Sequence, residues 1–256
     1  MTHAWDAGQY LRFADERTQP AVDLVARIEL HAPRRVIDLG CGPGNSTAVL
    51  RQRWSEAAIS GLDSSAELLA AARRDHPGIA FETGDIAHWT PAEPYDLVFS
   101  NAALQWVGGH DALIAGLLDA VAPGGALAVQ MPRNHDFATH RLMRQAAADG
   151  PWRDRLAGAR DPSPVGPPEF YYDRLAADSR RVVLWETNYI QVMDGVGAIL
   201  EWLHGTGLRP FLARLDDRER PVFLERYRAL LAGEFPPRGD GKLLLDYPRL
   251  FFIAYC

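Results

Sequence analysis

The sequence predicts an α/β protein built on a doubly wound parallel sheet, and three observations carry that expectation. Short apolar runs alternate with helical segments from about residue 30 to 132, at the spacing of strand–helix–strand crossovers. A glycine cluster, Asp38-Leu-Gly-Cys-Gly-Pro-Gly44, follows the first of these runs. Two acids, Asp63 and Asp85, close the next two. Crossovers of this kind are right-handed, and open α/β sheets bind ligands at the carboxyl ends of their strands.

Arg35–Leu39 is a short apolar run stopped by glycine and reads as a buried strand. Ser46–Trp54 then reads as a helix with Asn45 as its N-cap. Ala58–Leu62 is the second strand, and Ala66–Asp75 the second helix, capped by Ser64 or Ser65. Ile79–Phe81, Tyr95–Ser100 and Ala126–Met131 follow as strands three to five. A helix over Ala112–Val121 precedes the fifth and is stopped by Pro123-Gly124-Gly125. Beyond Pro132 the alternation loosens. Thr139–Ala148 has a helical pattern, whereas Arg160–Tyr172 is too rich in proline for regular structure to be expected. The β-branched and aromatic residues of Arg181–Met193 predict a late strand. Val196–His204 and Arg218–Gly233 read as helices, and Leu250–Tyr255 as a closing strand. A single domain is expected, with a core at about 30–132 and late strands at about 181–193 and 249–256. The cap would come from about 1–29, 133–178 and 195–248.

Composition narrows the function classes. The 256 residues are 47% hydrophobic and 23% charged, ordinary values for a globular chain. The balance of 27 basic against 33 acidic side chains, −6, argues against a nucleic-acid partner held by phosphate attraction. Lys242 is the single lysine, so 27 − 1 = 26 of the basic residues are arginine and an isolated arginine carries little functional weight. Cys41 and Cys256 lie far apart, which excludes a disulfide framework and a cysteine zinc site, and the histidines show no ligand spacing. No metal is expected. His110 reads as a helix-start residue. Residues 1–13 have neither a basic nor an apolar leader pattern, and the longest apolar stretch, Ala112–Pro132, is broken by Asp119 and by Pro123-Gly124-Gly125. A cytoplasmic protein without a membrane partner is expected. The oligomeric state is not encoded in any of these features.

The glycine loop carries more information. Gly40, Gly42 and Gly44 let the backbone approach a ligand where a Cβ would clash, and the helix that follows presents free N–H groups. A dinucleotide fingerprint would need glycine at position 45, which is Asn45, and a P-loop would need a lysine. Asp63 can accept from both hydroxyls of a ribose. Asp85 can accept from an adenine amine, with Ile86 offering an apolar face to the ring. Any one acid is most simply a helix cap. Order, spacing and placement at successive strand ends together point to an adenosine-bearing ligand.

Val36-Ile-Asp-Leu-Gly-Cys-Gly-Pro-Gly44, Gly61-Leu-Asp-Ser-Ser65, Gly84-Asp-Ile86 and Tyr95-Asp-Leu-Val-Phe-Ser-Asn101 resemble the class I S-adenosylmethionine-dependent methyltransferases over roughly residues 35–131. The resemblance implies a Rossmann-like methyltransferase sheet with a mostly helical cap built from N-terminal and C-terminal insertions. The implied cofactor is S-adenosyl-L-methionine. Asp38, Gly40, Cys41, Gly42, Gly44 and Asn45 would lie under its methionine part. Asp63 and Ser64 would hold the ribose, Asp85 and Ile86 the adenine, and Asn101 would stand near the sulfonium. Flanking segments extend the likeness: Tyr10-Leu-Arg-Phe13, Glu16-Arg17-Thr18-Gln19-Pro20, Asn101-Ala-Ala-Leu-Gln-Trp106, Val129-Gln-Met-Pro-Arg-Asn134, Thr206-Gly-Leu-Arg-Pro210 and Tyr247-Pro-Arg-Leu-Phe-Phe252. Together they resemble the members of that family that methylate a carboxylate of a small tricarboxylate.

A carboxylate with a pKa near 4 is ionised at neutral pH, so such a reaction needs no general base, only alignment and exclusion of water. The chain shows no acid–base dyad or nucleophile triad. Gln105 and Trp106 are the candidate catalytic residues, with N–H donors for the reacting carboxylate. A tricarboxylate calls for cations, and Arg17, Arg133, Arg209 and Arg249 are the candidates, with Tyr10 beside them and Tyr171 and Tyr172 as parts of a lid. Methyl transfer to another small carboxylic acid or to an acyl-carrier ester is the alternative within the class. A non-catalytic S-adenosylmethionine-binding protein is the alternative outside it. A nicotinamide oxidoreductase is disfavoured by Asn45.

Overall fold

Strand β1 (Arg35–Leu39) is the third of seven in a sheet of order β3-β2-β1-β4-β5-β7-β6. The structure is a computed structural model and describes residues 14–159, 165–204 and 207–256. Along the chain run α1 (Ala14–Arg27), β1, α2 (Asn45–Arg53), β2 (Ala58–Asp63), α3 (Ala66–Asp75), β3 (Ala80–Thr83), β4 (Tyr95–Asn101), α4 (His110–Asp119) and β5 (Val121–Pro132). Then come α5 (Ala138–Ala148), α6 (Arg153–Leu156), α7 (Pro168–Asp178), β6 (Arg181–Met193), α8 (Val196–His204), α9 (Arg209–Leu212), α10 (Glu219–Glu234) and β7 (Leu243–Tyr255). β1 pairs in parallel with β2 and β4, β2 with β3, and β4 with β5, while β7 joins β5 antiparallel. The strand order reverses at β1 and β4, so the carboxyl ends of these two strands flank the crevice where such sheets bind ligands.

The described residues form two compact units, one of residues 14–132, 165–187 and 249–256, the other of residues 133–159, 188–204 and 207–248. In the first, side chains alternate across the sheet, as a two-residue period requires. Val98 of β4, Leu127 and Val129 of β5, and Leu250 and Phe252 of β7 face one way and pack with Ile114, Leu117 and Tyr171 of α4 and α7. On the other side, the Glu29 N–H donates to the Tyr255 hydroxyl at 3.0 Å, and Arg53 Nη2 to the Ile28 carbonyl at 2.5 Å. These contacts fasten the segment after α1. Residues 14–27 were expected in the cap, and they form a helix of the sheet unit in spite of Pro20, because Ala21, Leu24 and Val25 bury one face. In the second unit, Trp152 packs edge-on against Phe223, Trp202 against Tyr247, and the buried Tyr227 hydroxyl donates to the Thr139 carbonyl at 2.8 Å.

Several expected boundaries move. The helix after the glycine loop begins at Asn45 itself, and its cap is Gly44 in the left-handed region, φ 94°. Asn45 is therefore not the N-cap, and its amide reaches Thr18 Oγ1 at 3.4 Å instead. Ser65 caps α3, its hydroxyl accepting from the Leu68 N–H at 3.3 Å, and Ser64 is exposed. The expected closing strand lengthens to Leu243–Tyr255. Regular structure also enters the proline-rich segment, since α7 starts at Pro168. Proline is tolerated in the first turn, where its missing N–H has no helical partner.

That helix corrects the placement of Tyr171. It is 0% exposed, stacks on Phe252 with ring centroids 5.4 Å apart, and is core, not lid. Tyr172, one residue on, faces outward and is exposed. The Tyr171 hydroxyl donates to His110 Nδ1 at 2.7 Å, since His110 Nε2 must keep its proton to donate to the Leu104 carbonyl at 2.9 Å. The same hydroxyl accepts from the Gly166 N–H at 3.3 Å. His110 begins α4 as expected and also ties that helix to α7. Tyr171→Phe keeps the ring and removes this junction. It is expected to cost about 1–2 kcal/mol, read as a fall of about 2–6 °C in thermal midpoint. An unchanged midpoint would show that the hydroxyl does not join the two helices.

Candidate active site

The loop after β1 is held by two carboxylates. Asp38, inside β1 and 0% exposed, accepts on Oδ2 from Ser46 Oγ at 2.7 Å and Thr47 Oγ1 at 2.6 Å, which fastens the first turn of α2 to the strand. Its Oδ1 is buried with no hydrogen-bond partner. Burial pushes the Asp38 carboxyl up to about 6; the hydroxyls of Thr47 and Ser46 pull it down, and the neighbouring Asp63 charge adds to the rise. Asp63, the last residue of β2, accepts from the Gly42 N–H at 2.9 Å on Oδ2 and from the Ser65 N–H at 2.8 Å on Oδ1. It locks the loop between strands and retains lone pairs for further donors. Burial raises the Cys41 thiol, which keeps it protonated and chemically idle at neutral pH.

Gly40 is where three strand ends meet. It has φ 74°, and a Cβ there would stand 2.2 Å from the Ala103 Cβ and 3.4 Å from Ile86 Cδ1. The loops after β1, β3 and β4 therefore converge, and only glycine fits between them. Asp85 caps the short turn Ile86–His88, accepting from the Ala87 N–H at 3.0 Å and meeting His88 Nδ1 at 3.0 Å. Ile86 is half-buried and packs against the core.

After β4 the backbone is strained. Ala102 has φ 54°, a left-handed conformation that costs a non-glycine residue about 1–2 kcal/mol. Its N–H donates to the Gln130 carbonyl at 2.9 Å, and its own carbonyl accepts from Gln105 Nε2 at 2.6 Å. These two bonds hold the strain and set the turn Leu104–Trp106. Gln105 was expected to offer its amide N–H to a ligand; that nitrogen is already engaged by Ala102, and the buried atom without a partner is the acceptor Oε1. Asn101 Oδ1 is a second buried acceptor without a partner. Trp106 is half-buried at the end of the turn.

Arg249 is 4% exposed in β7, and its Nη1 donates to Gln130 Oε1 at 3.1 Å. Gln130, the acceptor, is not among the residues that the sequence singled out. The signal available in the sequence is a lone amide in the apolar run Ala126-Leu-Ala-Val-Gln-Met-Pro132, and in the structure it is fully buried. Arg133 and Arg209 belong to the second unit and are half-buried there, Arg133 donating its N–H to the Pro248 carbonyl at 2.9 Å and Arg209 opening α9. Tyr10 and the Arg17 side chain lie outside the described residues. Among the described residues no cluster of three or more histidine, cysteine or carboxylate groups could hold a metal ion. Nor is any helix there long and apolar enough to cross a membrane.

A sheet of this order, with a glycine loop after β1 and acids closing β2 and β3, defines a class I methyltransferase. Residues 36–125 match the family described as Methyltransferase domain. The fold is shared with the YcgJ protein from Bacillus subtilis (TM-score 0.58, 12% identity, covering 93% of this chain and 98% of that one). It is also shared with coclaurine N-methyltransferase (TM-score 0.54, 15% identity, covering 94% and 73%). Within this class the chain belongs to the trans-aconitate 2-methyltransferase family. It is 51% identical over 250 residues to the trans-aconitate 2-methyltransferase of Azoarcus sp., covering 98% of each chain. To that of Methylobacterium nodulans it is 52% identical over 251 residues, covering 98% of this chain and 97% of the relative.

The Asp38 carboxyl sets a pH dependence. Its value in the folded chain lies above the ordinary 3.8, so the native state keeps a proton that the unfolded chain releases. The stabilisation this provides is fully present below pH 3.8 and is lost as pH rises through about 6, a difference of about 3 kcal/mol. Asp38→Asn carries no such titration. The variant's unfolding free energy in urea, relative to wild type, should rise steadily between about pH 4 and pH 7. A flat difference would place the ionised carboxylate in the native state throughout.

Proposed function

We propose that this protein is an S-adenosyl-L-methionine-dependent carboxyl O-methyltransferase that converts trans-aconitate to a monomethyl ester. The residues present fit the cofactor. The convergence at Gly40 leaves backbone, not side chains, along the loop, and Asp63 stands at the strand end suited to a ribose. The observation that carries the reading is the pair of buried acceptors without partners, Asn101 Oδ1 and Gln105 Oε1, beside a strained turn. Buried acceptors suit a cationic ligand, and S-adenosylmethionine carries both a sulfonium and an ammonium. Asp38 Oδ1 adds a third acceptor below the loop.

When bound, the cofactor supplies an electrophilic methyl group that a carboxylate oxygen accepts. The chain's part is alignment. Asp63 would hold the ribose, the glycine loop would lie under the methionine part, Asp85 and Ile86 would border the adenine, and Asn101 and Gln105 would face the sulfonium with their oxygens. Trp106, at the end of the same turn, screens the reacting atoms from water. Arg249 supplies positive charge from within the sheet. The substrate oxygen is ionised at neutral pH, so no residue acts as a base. The two free cysteines, Cys41 and Cys256, suit the reducing cytoplasm in which we place the enzyme.

Transfer of labelled methyl from S-adenosylmethionine to trans-aconitate, cis-aconitate, citrate and isocitrate tests the reading. The ester of trans-aconitate is expected to form with the highest kcat/KM, and no ester from any of the four would overturn the substrate assignment. Asp63→Ala should weaken S-adenosylhomocysteine binding by about 1.5–3 kcal/mol, roughly ten- to hundredfold in Kd by calorimetry. Undiminished affinity would remove Asp63 from the ribose site.

A further inference from the structure

Gln130 is fully buried in the apolar carboxyl half of β5, where a hydrocarbon side chain would be expected. Its Oε1 accepts from Arg249 Nη1 at 3.1 Å. A guanidinium only donates, so this bond fixes the orientation of the amide and assigns the two N–H groups to the other side. Those groups, on Nε2, are buried with no hydrogen-bond partner. A buried donor left so is costly unless a ligand takes it.

The strand registers give Gln130 its neighbours. Asn101 stands opposite it across the parallel β4–β5 pair. Across the antiparallel β5–β7 pair, Phe251 stands opposite Gln130, and Arg249 opposite Pro132. Side chains alternate along a strand, so Asn101, Gln130, Arg249 and Phe251 share one face, the reverse of the face that Phe252 and Val129 bury. Phe251 is covered by Trp185, stacked at 4.8 Å and 9°, and Arg27 lies 4.3 Å over the Trp185 ring. Toward β4 the row runs from cation to amide donor to amide acceptor. The acceptor suits the cationic cofactor. The donor and the cation suit an anion.

We infer that Gln130 is a substrate-binding and positioning residue: its amide N–H groups donate to a carboxylate of the tricarboxylate, while its amide oxygen holds the Arg249 guanidinium toward the same anion. The inference rests on the carboxyl-methyltransferase reading and deepens it by placing the substrate's charge at β5 and β7. A neutral amide accepts an N–H of Arg249 without cancelling its charge. A glutamate of the same shape would pair with Arg249 and repel the substrate, so the amide selects for anions.

Two variants test this, Gln130→Met, of equal length without the amide, and Gln130→Glu, of equal shape with a charge. Both should still fold, shown by a single cooperative thermal transition, and bind S-adenosylhomocysteine within about threefold of wild type. The KM for trans-aconitate should rise about tenfold or more in Gln130→Met and further in Gln130→Glu, with kcat changing less than KM, the pattern of lost substrate binding. A KM within about threefold of wild type in a folded variant would make Gln130 a packing residue and overturn the inference. If Gln130→Glu fails to fold, Gln130→Met decides alone. Titration of trans-aconitate into wild type and Gln130→Met, each saturated with S-adenosylhomocysteine, separates this inference from the activity. Binding by wild type that the variant loses upholds the role of Gln130 even where no ester forms. Equal binding by both, or none by wild type, overturns it.

Discussion

The carboxylate of Asp38 joins the middle of the sheet to the first turn of α2 through the hydroxyls of Ser46 and Thr47, and the ligand edge is laid out from that junction. With strand and helix fastened, the five residues between them have little freedom, and Asp63 removes more by taking the Gly42 N–H. The loop is then forced against Ala103, where only a glycine at position 40 can pass. Ala103 is itself held by the left-handed Ala102, whose N–H is tied to β5 and whose carbonyl is tied to Gln105. Each constraint is local, but the chain of them runs from β2 through β1 and β4 to β5. Strain of this kind persists only where neighbouring bonds over-determine it.

Charge is distributed along that edge in a consistent order. β1, the end of β2, the end of β4 and the turn after it carry acceptors: Asp38, Asp63, Asn101 and Gln105. The β5–β7 pair carries donors, Gln130 and Arg249. A protein with a net charge of −6 repels a polyanion at long range. Attraction must therefore come from groups at close range, in surroundings where water screens them little. A guanidinium 4% exposed meets that condition better than the many arginines on the surface. On the proposed function, the same order would separate a cationic cofactor from an anionic substrate.

Some of this was legible in the residues. The glycine loop, Asp63 and Asp85 announce themselves because each must follow a strand at a set distance, and spacing is a property of sequence. Ser65 and the start of α4 at His110 follow from cap chemistry that acts over three or four residues. Tyr171 misled because aromatic residues after a proline-rich stretch suit a lid as well as a core. Its burial depends on Phe252, 81 positions later, and on a helix that Pro168 starts where proline content argued against one. For Gln105 no local pattern announces that one amide N–H is taken by a backbone carbonyl, because that carbonyl belongs to the left-handed Ala102.

The division follows range. Sequence by itself determined the parallel α/β order and the placing of the glycine loop, Asp63 and Asp85 at successive strand ends, since periodicity, capping and glycine spacing act between near neighbours. Tertiary structure alone decided which face each strand presents and which atoms of each amide are spent. The pairing of Gln130 with Arg249 spans 119 positions and exists only because β7 enters the sheet antiparallel beside β5, bringing position 249 opposite 132. A buried amide has two ends, and which of them remains for a ligand is set by the partner that the fold brings to the other.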